Sequence, residues 1–429
     1  MRVLIFGLGL NQGGVGSAKF FARQGAEVRV TDLKNAQVLK PSLEKLKSFK
    51  NISYALGGHK YEDIDWADLI IKNPAVKPGN PYIEYARKRG KSIEMDMGIF
   101  LQYVRPGQII GVTGTKGKST TASLIYEILA IHLRGEKMRL HPGGVVLAGN
   151  IGKSVLDTVR FIKSDTLIVL ELSSFQLQAF REHRVSPKWA VITNIFPDHL
   201  NYYKNMKDYI KDKRAIAEYQ KQVDFLFMKK GDPFTTKGRE IYFSTNDLPK
   251  NFSPKIVGEH NLENIAAALA VGKTFGLDEK TILKTLSKFK GIPFRMELVK
   301  TWQGVKIYND SAATNPESTI QALKTLPNSI LITGGVNKNL SYDNLIEAIK
   351  QYAKKVYFLE GSATDEILKI KNEKLKIYNN LLKLLQDIKK VVRSGDVILF
   401  SPAASSFNLF QNEFDRGRKF NKAVDKIFS

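Results

Sequence analysis

The run Gly114-Thr115-Lys116-Gly117-Lys118-Ser119-Thr120 gathers glycines, lysines and hydroxyls into one short stretch. Glycines let backbone N–H groups approach phosphate oxygens closely, and a helix starting at such a loop adds partial positive charge. In that chemistry Lys118 reaches the outer phosphates and the Ser119 hydroxyl ligates Mg²⁺. The apolar Ile109-Ile110-Gly111-Val112 before the loop and a helical pattern after it give the order strand, phosphate loop, helix. A glycine turn with exposed lysines would not need that order. The spacing G-x-x-x-x-G-K-[ST] requires glycine where Val112 stands, so this is a shorter variant of the loop.

Two further groups belong with it. Glu171 ends the apolar run Thr166-Leu167-Ile168-Val169-Leu170, as an acid that binds Mg²⁺ directly or through water, or that caps the next turn. His199, in Asp198-His199, follows the run Lys188–Asn194 and is either a ligand or a structural histidine. In a doubly wound sheet, ligands sit beyond the carboxyl ends of the strands. The loop, Glu171 and His199 all fall there, which points to an enzyme.

Other residues are less decided by pattern. Tyr209 and Lys213 are four apart and share a helix face, but spacing does not separate Lys213 from the lysines around it. Asn261 and Asn264 open an alanine-rich helix, where amides cap a first turn or grip a base edge; capping is the expectation. Near the start, Arg2–Phe6, the loop Gly7-Leu8-Gly9-Leu10-Asn11-Gln12 and Glu27–Asp32 form a Rossmann-type opening. The third fingerprint glycine falls on Gln12, so a dinucleotide is not specified; another diphosphate, with Asp32 near a ribose or base, is equally allowed.

The elements that must hold these residues follow parallel-sheet grammar throughout. Turn clusters at Arg105-Pro106-Gly107 and Gly291-Ile292-Pro293 divide the 429 residues into three α/β domains: 1–105, 106–293 and 294–429. The expectation is a Rossmann-like N-terminal domain, a central P-loop ATPase-type parallel-sheet domain, and a C-terminal Rossmann-like α/β domain. In the last, strands at Ser329–Thr333, Lys355–Leu359 and Asp396–Phe400 alternate with helical stretches. The turns His141-Pro142-Gly143-Gly144 and Gly149-Asn150-Ile151-Gly152 are glycine-rich.

Composition narrows the class. Hydrophobic residues make up 43% and charged residues 25%, as in a soluble globular chain. No run approaches the ~20 apolar residues of a membrane helix, so no membrane insertion is expected. Absence of cysteine excludes disulfides, thiolate metal sites and cysteine catalysis, and suits a cytoplasmic protein. The net charge of +24 comes from lysines spread among Glu and Asp through helical segments, so a solvated surface is expected rather than a nucleic-acid partner.

Taken in order, the motifs resemble the Mur ligases, the ATP-dependent amide-forming enzymes of peptidoglycan precursor synthesis. The matching set is Gly114–Thr120, Glu171-Leu172-Ser173-Ser174-Phe175-Gln176-Leu177, Asp198-His199-Leu200, His260-Asn261-Leu262-Glu263-Asn264, Phe294-Arg295-Met296-Glu297, Asn309-Asp310-Ser311 and Ser401-Pro402-Ala403. It spans nearly the whole chain. The Glu-Leu-Ser-Ser-Phe-Gln-Leu, Asn-Asp-Ser and Ser-Pro-Ala segments look like the branch that adds D-glutamate to UDP-N-acetylmuramoyl-L-alanine.

That resemblance implies roles the residues alone do not. The first domain holds the UDP substrate, with Leu10, Asn11, Gln12 and Asp32 as contacts and Asn150 from the second domain. Gly114, Thr115, Lys116, Gly117, Lys118, Ser119, Thr120, Asn264, Arg295 and Asp310 correspond to ATP contacts. Thr314, Lys338, Ser406 and Phe414 correspond to positions near D-glutamate. The family's carbamylated lysine falls on Lys213, and two Mg²⁺ sites are implied: Ser119 with Glu171, and His199 with Lys213. Lys118, Glu171, His199 and Lys213 would carry catalysis, in a monomer. Three departures stand out: Ala312 replaces a family lysine, Lys116 replaces an asparagine, and Phe414 is displaced by one residue against Asn412 and Arg416. Alternatives at this point are another Mur ligase, a folylpolyglutamate synthase-like ligase, and a catalytically impaired nucleotide-binding paralogue.

Overall fold

Alternation along β1 (Arg2–Phe6) sends Val3 and Ile5 to one face and Leu4 and Phe6 to the other, and all four are buried. A strand apolar on both faces must be covered on both, as in an α/β sheet. In the computed structural model it is the centre of a five-stranded parallel sheet. The model describes all residues except 11, 135–143, 152–153, 199–201, 257, 338–339, 369–375, 407–408 and 411, and the side chains of 12 and 132–134.

The first sheet has the order β3-β2-β1-β4-β5, with β2 at Glu27–Asp32, β3 at Ile52–Leu56, β4 at Leu69–Lys72 and β5 at Ser92–Glu94. This is the Rossmann-like half that the opening motif predicts. The second sheet has the order β11-β10-β9-β6-β8-β7: β6 Ile109–Thr113, β7 Val145–Gly149, β8 Leu167–Glu171, β9 Trp189–Ile192, β10 Phe225–Met228 and β11 Arg239–Tyr242. All its pairings are parallel, and β6, β8 and β9 are buried along their whole length. The chain leaves β6, builds β7 and β8 on one side, then crosses to β9 on the other. The loop after β6 therefore lies at a topological switch point, where such sheets bind ligands.

The third sheet has the order β12-β13-β17-β14-β15-β16, with β12 Glu297–Trp302, β13 Val305–Asn309, β14 Ser329–Gly334, β15 Ala353–Leu359, β16 Ile377–Tyr378 and β17 Val397–Phe400. Only β12 is antiparallel to its neighbour. The three-part α/β architecture expected from sequence is thus present.

By contacts the chain forms two compact units, Met1–Phe252 with His260–Ser287, and Ser253–Glu259 with Lys288–Ser429. The first unit contains the first two sheets because they share one apolar cluster, from Val3 and Ile5 to Ile168 and Leu170. Polar links reinforce it: His183 Nε2 lies 3.2 Å from Glu94 Oε2, and the Tyr202 hydroxyl donates to the Val76 carbonyl at 3.3 Å. Among the described residues, no helix is long and apolar enough to cross a membrane.

Candidate active site

The phosphate loop joins the buried β6 to the helix Lys118–Arg134. Gly114 and Gly117 have φ of +148° and +80°, conformations that L side chains rarely adopt. A Cβ at Gly114 would collide with the Thr193 hydroxyl, and one at Gly117 with the Asn264 amide oxygen. The helix then begins with N–H groups at 118–120 that no preceding turn can satisfy, the arrangement that binds anions. Ser119 and Thr120 are part-exposed in that first turn, and Lys118 Nζ donates to the carbonyls of Gly114 (3.0 Å) and Thr115 (2.9 Å).

Thr115 and Lys116 are placed differently from the rest of the loop. The Thr115 N–H donates to the Asn194 carbonyl at 2.9 Å, and the Lys116 N–H to Asn194 Oδ1 at 2.8 Å. The Lys116 carbonyl accepts from the Thr193 hydroxyl at 2.5 Å and from Asn194 Nδ2 at 3.2 Å. Both backbones are held by the end of β9, and the Lys116 side chain is exposed.

Lys213 projects into this loop from the helix Met206–Arg214, which Asn205 caps through the Asp208 N–H. It is 1% exposed. Its Nζ lies 2.9 Å from the Gly114 carbonyl, 3.2 Å from Thr113 Oγ1 and 4.8 Å from the centre of the Tyr209 ring. Burial first, and the nearby Lys118 cation second, hold its amine well below the ordinary lysine value. The sequence offered several lysines here; burial singles out one.

Glu171, at the end of β8, is 2% exposed. Asn150 donates to it twice, from its backbone N–H to the Glu171 carbonyl (2.9 Å) and from Nδ2 to Oε1 (3.3 Å). The preceding Gly149 has φ +99°, and a Cβ there would strike that carbonyl. Asn264 does not cap its own helix, which begins at Glu259. Its Oδ1 instead accepts from the Thr121 hydroxyl at 3.1 Å, and its Nδ2 donates to Asn261 at 3.1 Å. The expected cap is thus an inter-helix contact on the phosphate-loop helix, because Asn264 lies past the first turn.

Asp32, at the end of β2, is 4% exposed and spends both oxygens on backbone: Gly9 N–H at 2.8 Å and Lys34 N–H at 2.8 Å. It shapes the loop that carries Leu10, which is half-buried. Asn11, the Gln12 side chain, His199 and Lys338 lie outside the described residues, as does most of the His141–Gly144 turn. Among the described residues no three His, Asp or Glu side chains gather as a cation cluster.

In the second unit, Asp310 is 5% exposed, with Oδ1 accepting from the Met296 N–H (3.1 Å) and Oδ2 from the Ser401 hydroxyl (2.8 Å). Burial pushes its carboxyl up to about 7. Arg295 is exposed, Thr314 and Ala312 are half-buried, and Phe414 is 46% exposed with its ring 6.4 Å from that of Phe294. Ser406 is 2% exposed, and its hydroxyl has no hydrogen-bond partner among the described residues.

Comparison with known proteins decides the family. Residues 1–94 match the Mur ligase MurD-like N-terminal domain, 112–242 the Mur ligase middle domain, and 294–404 the Mur ligase glutamate ligase domain. The chain is 38% identical to the UDP-N-acetylmuramoylalanine–D-glutamate ligase of Borreliella burgdorferi, covering 100% of this chain and 98% of that protein. It is 35% identical to the ligase of the same name from a Roseiflexus species, covering 99% and 98%. The chain belongs to the Mur ligase family. Among solved structures, the UDP-N-acetylmuramate–alanine ligase of Thermotoga maritima shares its fold, with a TM-score of 0.57 and 21% identity over 99% of each chain.

Several residues that organise this Mur ligase were not legible as functional. Thr193 and Asn194 brace the loop, although the polar pair closing an apolar strand was a visible signal. Ser173 opens the helix Ser174–Glu182 with a capping box closed by Gln176, so part of the Glu-Leu-Ser-Ser-Phe-Gln motif is helix initiation. Arg416, 1% exposed, donates to Ser311 Oγ (3.0 Å), the Ser311 carbonyl (2.8 Å) and the Ala404 carbonyl (2.9 Å). Nothing in its helical context marked it.

Proposed function

We propose that this chain is an ATP-dependent amide ligase that adds D-glutamate to UDP-N-acetylmuramoyl-L-alanine in peptidoglycan precursor synthesis, as a cytoplasmic monomer. Residues 1–105 hold the UDP substrate, 106–293 the ATP, and 294–429 the amino acid. The observation that carries the reading is Lys213 against the phosphate loop. A neutral amine has two hydrogens, which go to the Gly114 carbonyl and to Thr113 Oγ1, whose own proton goes to the Leu172 carbonyl at 2.8 Å. That leaves the nitrogen lone pair for carbon dioxide: the N–C bond forms, a proton leaves, and a cation position becomes a carbamate anion.

The donor set fits a magnesium nucleotide. Ser119 and Glu171 would hold one Mg²⁺, and His199 with carbamylated Lys213 a second. Bound there, the ions would neutralise phosphate charge and polarise the acyl phosphate. Lys118 turns from the loop carbonyls to the outer phosphates, while the N–H groups of 117–120 cradle them. The terminal carboxylate of the alanyl arm attacks the γ-phosphorus and ADP leaves. The D-glutamate amine then attacks the acyl carbon, phosphate departs, and the amine gives up a proton. Positioning and charge neutralisation carry such transfers. Leu10, Asn11, Gln12, Asp32 and Asn150 serve the UDP substrate, with Asp32 acting through the loop it pins. Thr314, Lys338, Ser406 and Phe414 serve D-glutamate, and the buried Ser406 hydroxyl supports a ligand contact there. Arg295 and Asp310 serve the nucleotide.

A coupled assay for ADP release tests the reading. Turnover should require both UDP-N-acetylmuramoyl-L-alanine and D-glutamate. Turnover with L-alanine, a diamino acid or a dipeptide instead would assign another Mur ligase activity. ATP binding without turnover on any amino acid would mark an impaired paralogue.

A further inference from the structure

Thr115 sits in the phosphate loop, yet its side chain faces protein. The residue is 6% exposed. Its Oγ1 lies 2.9 Å from the Phe196 nitrogen, 3.2 Å from the Phe196 carbonyl oxygen and 3.0 Å from the Tyr209 hydroxyl. A hydroxyl has one proton and two lone pairs. The carbonyl only accepts and the N–H only donates, so one assignment satisfies every contact. Thr115 donates to the Phe196 carbonyl and accepts from the Phe196 N–H and the Tyr209 O–H. Burial raises the Tyr209 phenol to about 12, so it retains the proton it donates. The Thr115 hydroxyl is then saturated, and its N–H is spent on Asn194. Its carbonyl only accepts, and does so from Lys118, so no donor on this residue is left for a phosphate.

The residue joins three segments. One is the loop itself. The second is the stretch after β9 that carries Phe196. The third is the helix carrying Lys213, one turn beyond Tyr209, whose amine returns to Gly114 next to Thr115. Hydrogen bonds at both Phe196 backbone groups fix that residue while leaving its ring 51% exposed beside the loop.

We propose that the Thr115 hydroxyl is a positioning residue: a three-way joint that holds the phosphate loop in register with the Lys213 helix and the segment around Phe196, so that nucleotide occupancy stiffens the Lys213 helix. This rests on the reading that the loop holds the nucleotide and Lys213 works at the same centre. Thr115→Val keeps the shape and deletes the joint; Thr115→Ser keeps the hydroxyl; Tyr209→Phe removes one arm and keeps the ring over Lys213.

Hydrogen exchange with and without magnesium ADP reads the coupling without any ligase turnover. ADP should protect peptides covering 206–214 at least about 5-fold in the wild type and Thr115→Ser, and less than 2-fold in Thr115→Val, with ADP affinity changed less than about 3-fold. In the assay, Thr115→Val should lower kcat at least about 30-fold with little change in KM for ATP, and Thr115→Ser should restore it. Adding Tyr209→Phe to Thr115→Val should do no further harm, since both remove the same bond. Wild-type-like protection or kcat in Thr115→Val, a loss confined to KM for ATP, or additive losses would overturn the joint. Should Thr115→Val not fold, Tyr209→Phe decides alone: intact protection and kcat reject the proposal, and loss of both supports it. A wild type that binds ADP and is protected, but turns over no amino acid, would defeat the ligase reading and leave the joint standing.

Discussion

Lys213 and Arg416 are both 1% exposed cations, one in each unit, and among the described residues neither has a carboxylate within ion-pair distance. Their surroundings use them differently. Lys213 meets two acceptors, and burial, with the neighbouring Lys118 cation second, holds its amine well below the ordinary lysine value. Arg416 meets three neutral oxygens from Ser311 and Ala404, and burial lowers it only to about 10, so it stays a cation at neutral pH. Its planar fork ties the helix Glu413–Ile427 to two loops at the carboxyl end of the third sheet. The proposed reading makes the lysine a reagent, whereas the contacts of the arginine make it a bracket. Burial alone does not assign function to a cation; the proton it can lose does.

The largest expected effect is on the reagent. Lys213→Arg keeps a cation but cannot become a neutral amine. We expect a loss of at least ~10³ in kcat, about 4 kcal/mol, in a folded protein, with no rescue by bicarbonate. Activity within tenfold of wild type would break the comparison.

Next comes the bracket. Arg416→Met removes all three hydrogen bonds and strands their acceptors. It should lower unfolding free energy by about 3 kcal/mol, measured by denaturant titration. Arg416→Lys should recover only part of this, because an ammonium does not reproduce the fork. Full recovery would mean that charge, not geometry, is what matters.

Asp310 sharpens the contrast from the acidic side. Unfolded, it titrates near 3.8; folded, burial holds it at about 7. The folded protein therefore binds more protons between those values. The associated stability is fully present below about 4 and is lost as pH rises through about 7. Relative to Asp310→Asn, the wild type should lose stability over that window with a limiting slope of about 1.4 kcal/mol per pH unit. Parallel pH profiles for the two proteins would reject the buried-acid assignment.

The smallest effect is expected at the exposed cation. Lys116→Ala removes a solvated charge beside the loop and should raise KM for ATP by no more than about fivefold, near 1 kcal/mol. A much larger loss would give this side chain a catalytic part.

Much of the fold was legible because its signals are local. The glycines at 114 and 117, the Lys-Ser that follows and the apolar run before them describe strand, loop and helix within a dozen neighbours. The near-Rossmann opening and the alternation of strands and helices to Phe400 are of the same kind. What was not legible depends on partners distant in sequence. That both Asp32 oxygens accept from the Gly9 and Lys34 N–H groups could not be read from the chain. Asn264 had the look of a cap and instead grips Thr121, 143 residues away. Lys213 was one lysine among several until the packing of β6, β9 and its own helix excluded water from it alone.

Sequence by itself therefore determined the grammar: which segments are strands, where the phosphate loop begins, and which family the ordered motifs belong to. These follow from periodicity and from backbone conformations that particular residues permit. Tertiary structure decided which groups are chemically altered. Desolvation and hydrogen-bond saturation are properties of what packs around an atom. They lowered the proton affinity of Lys213, kept Arg416 a cation, and gave the Thr115 hydroxyl protein partners at Phe196 and Tyr209.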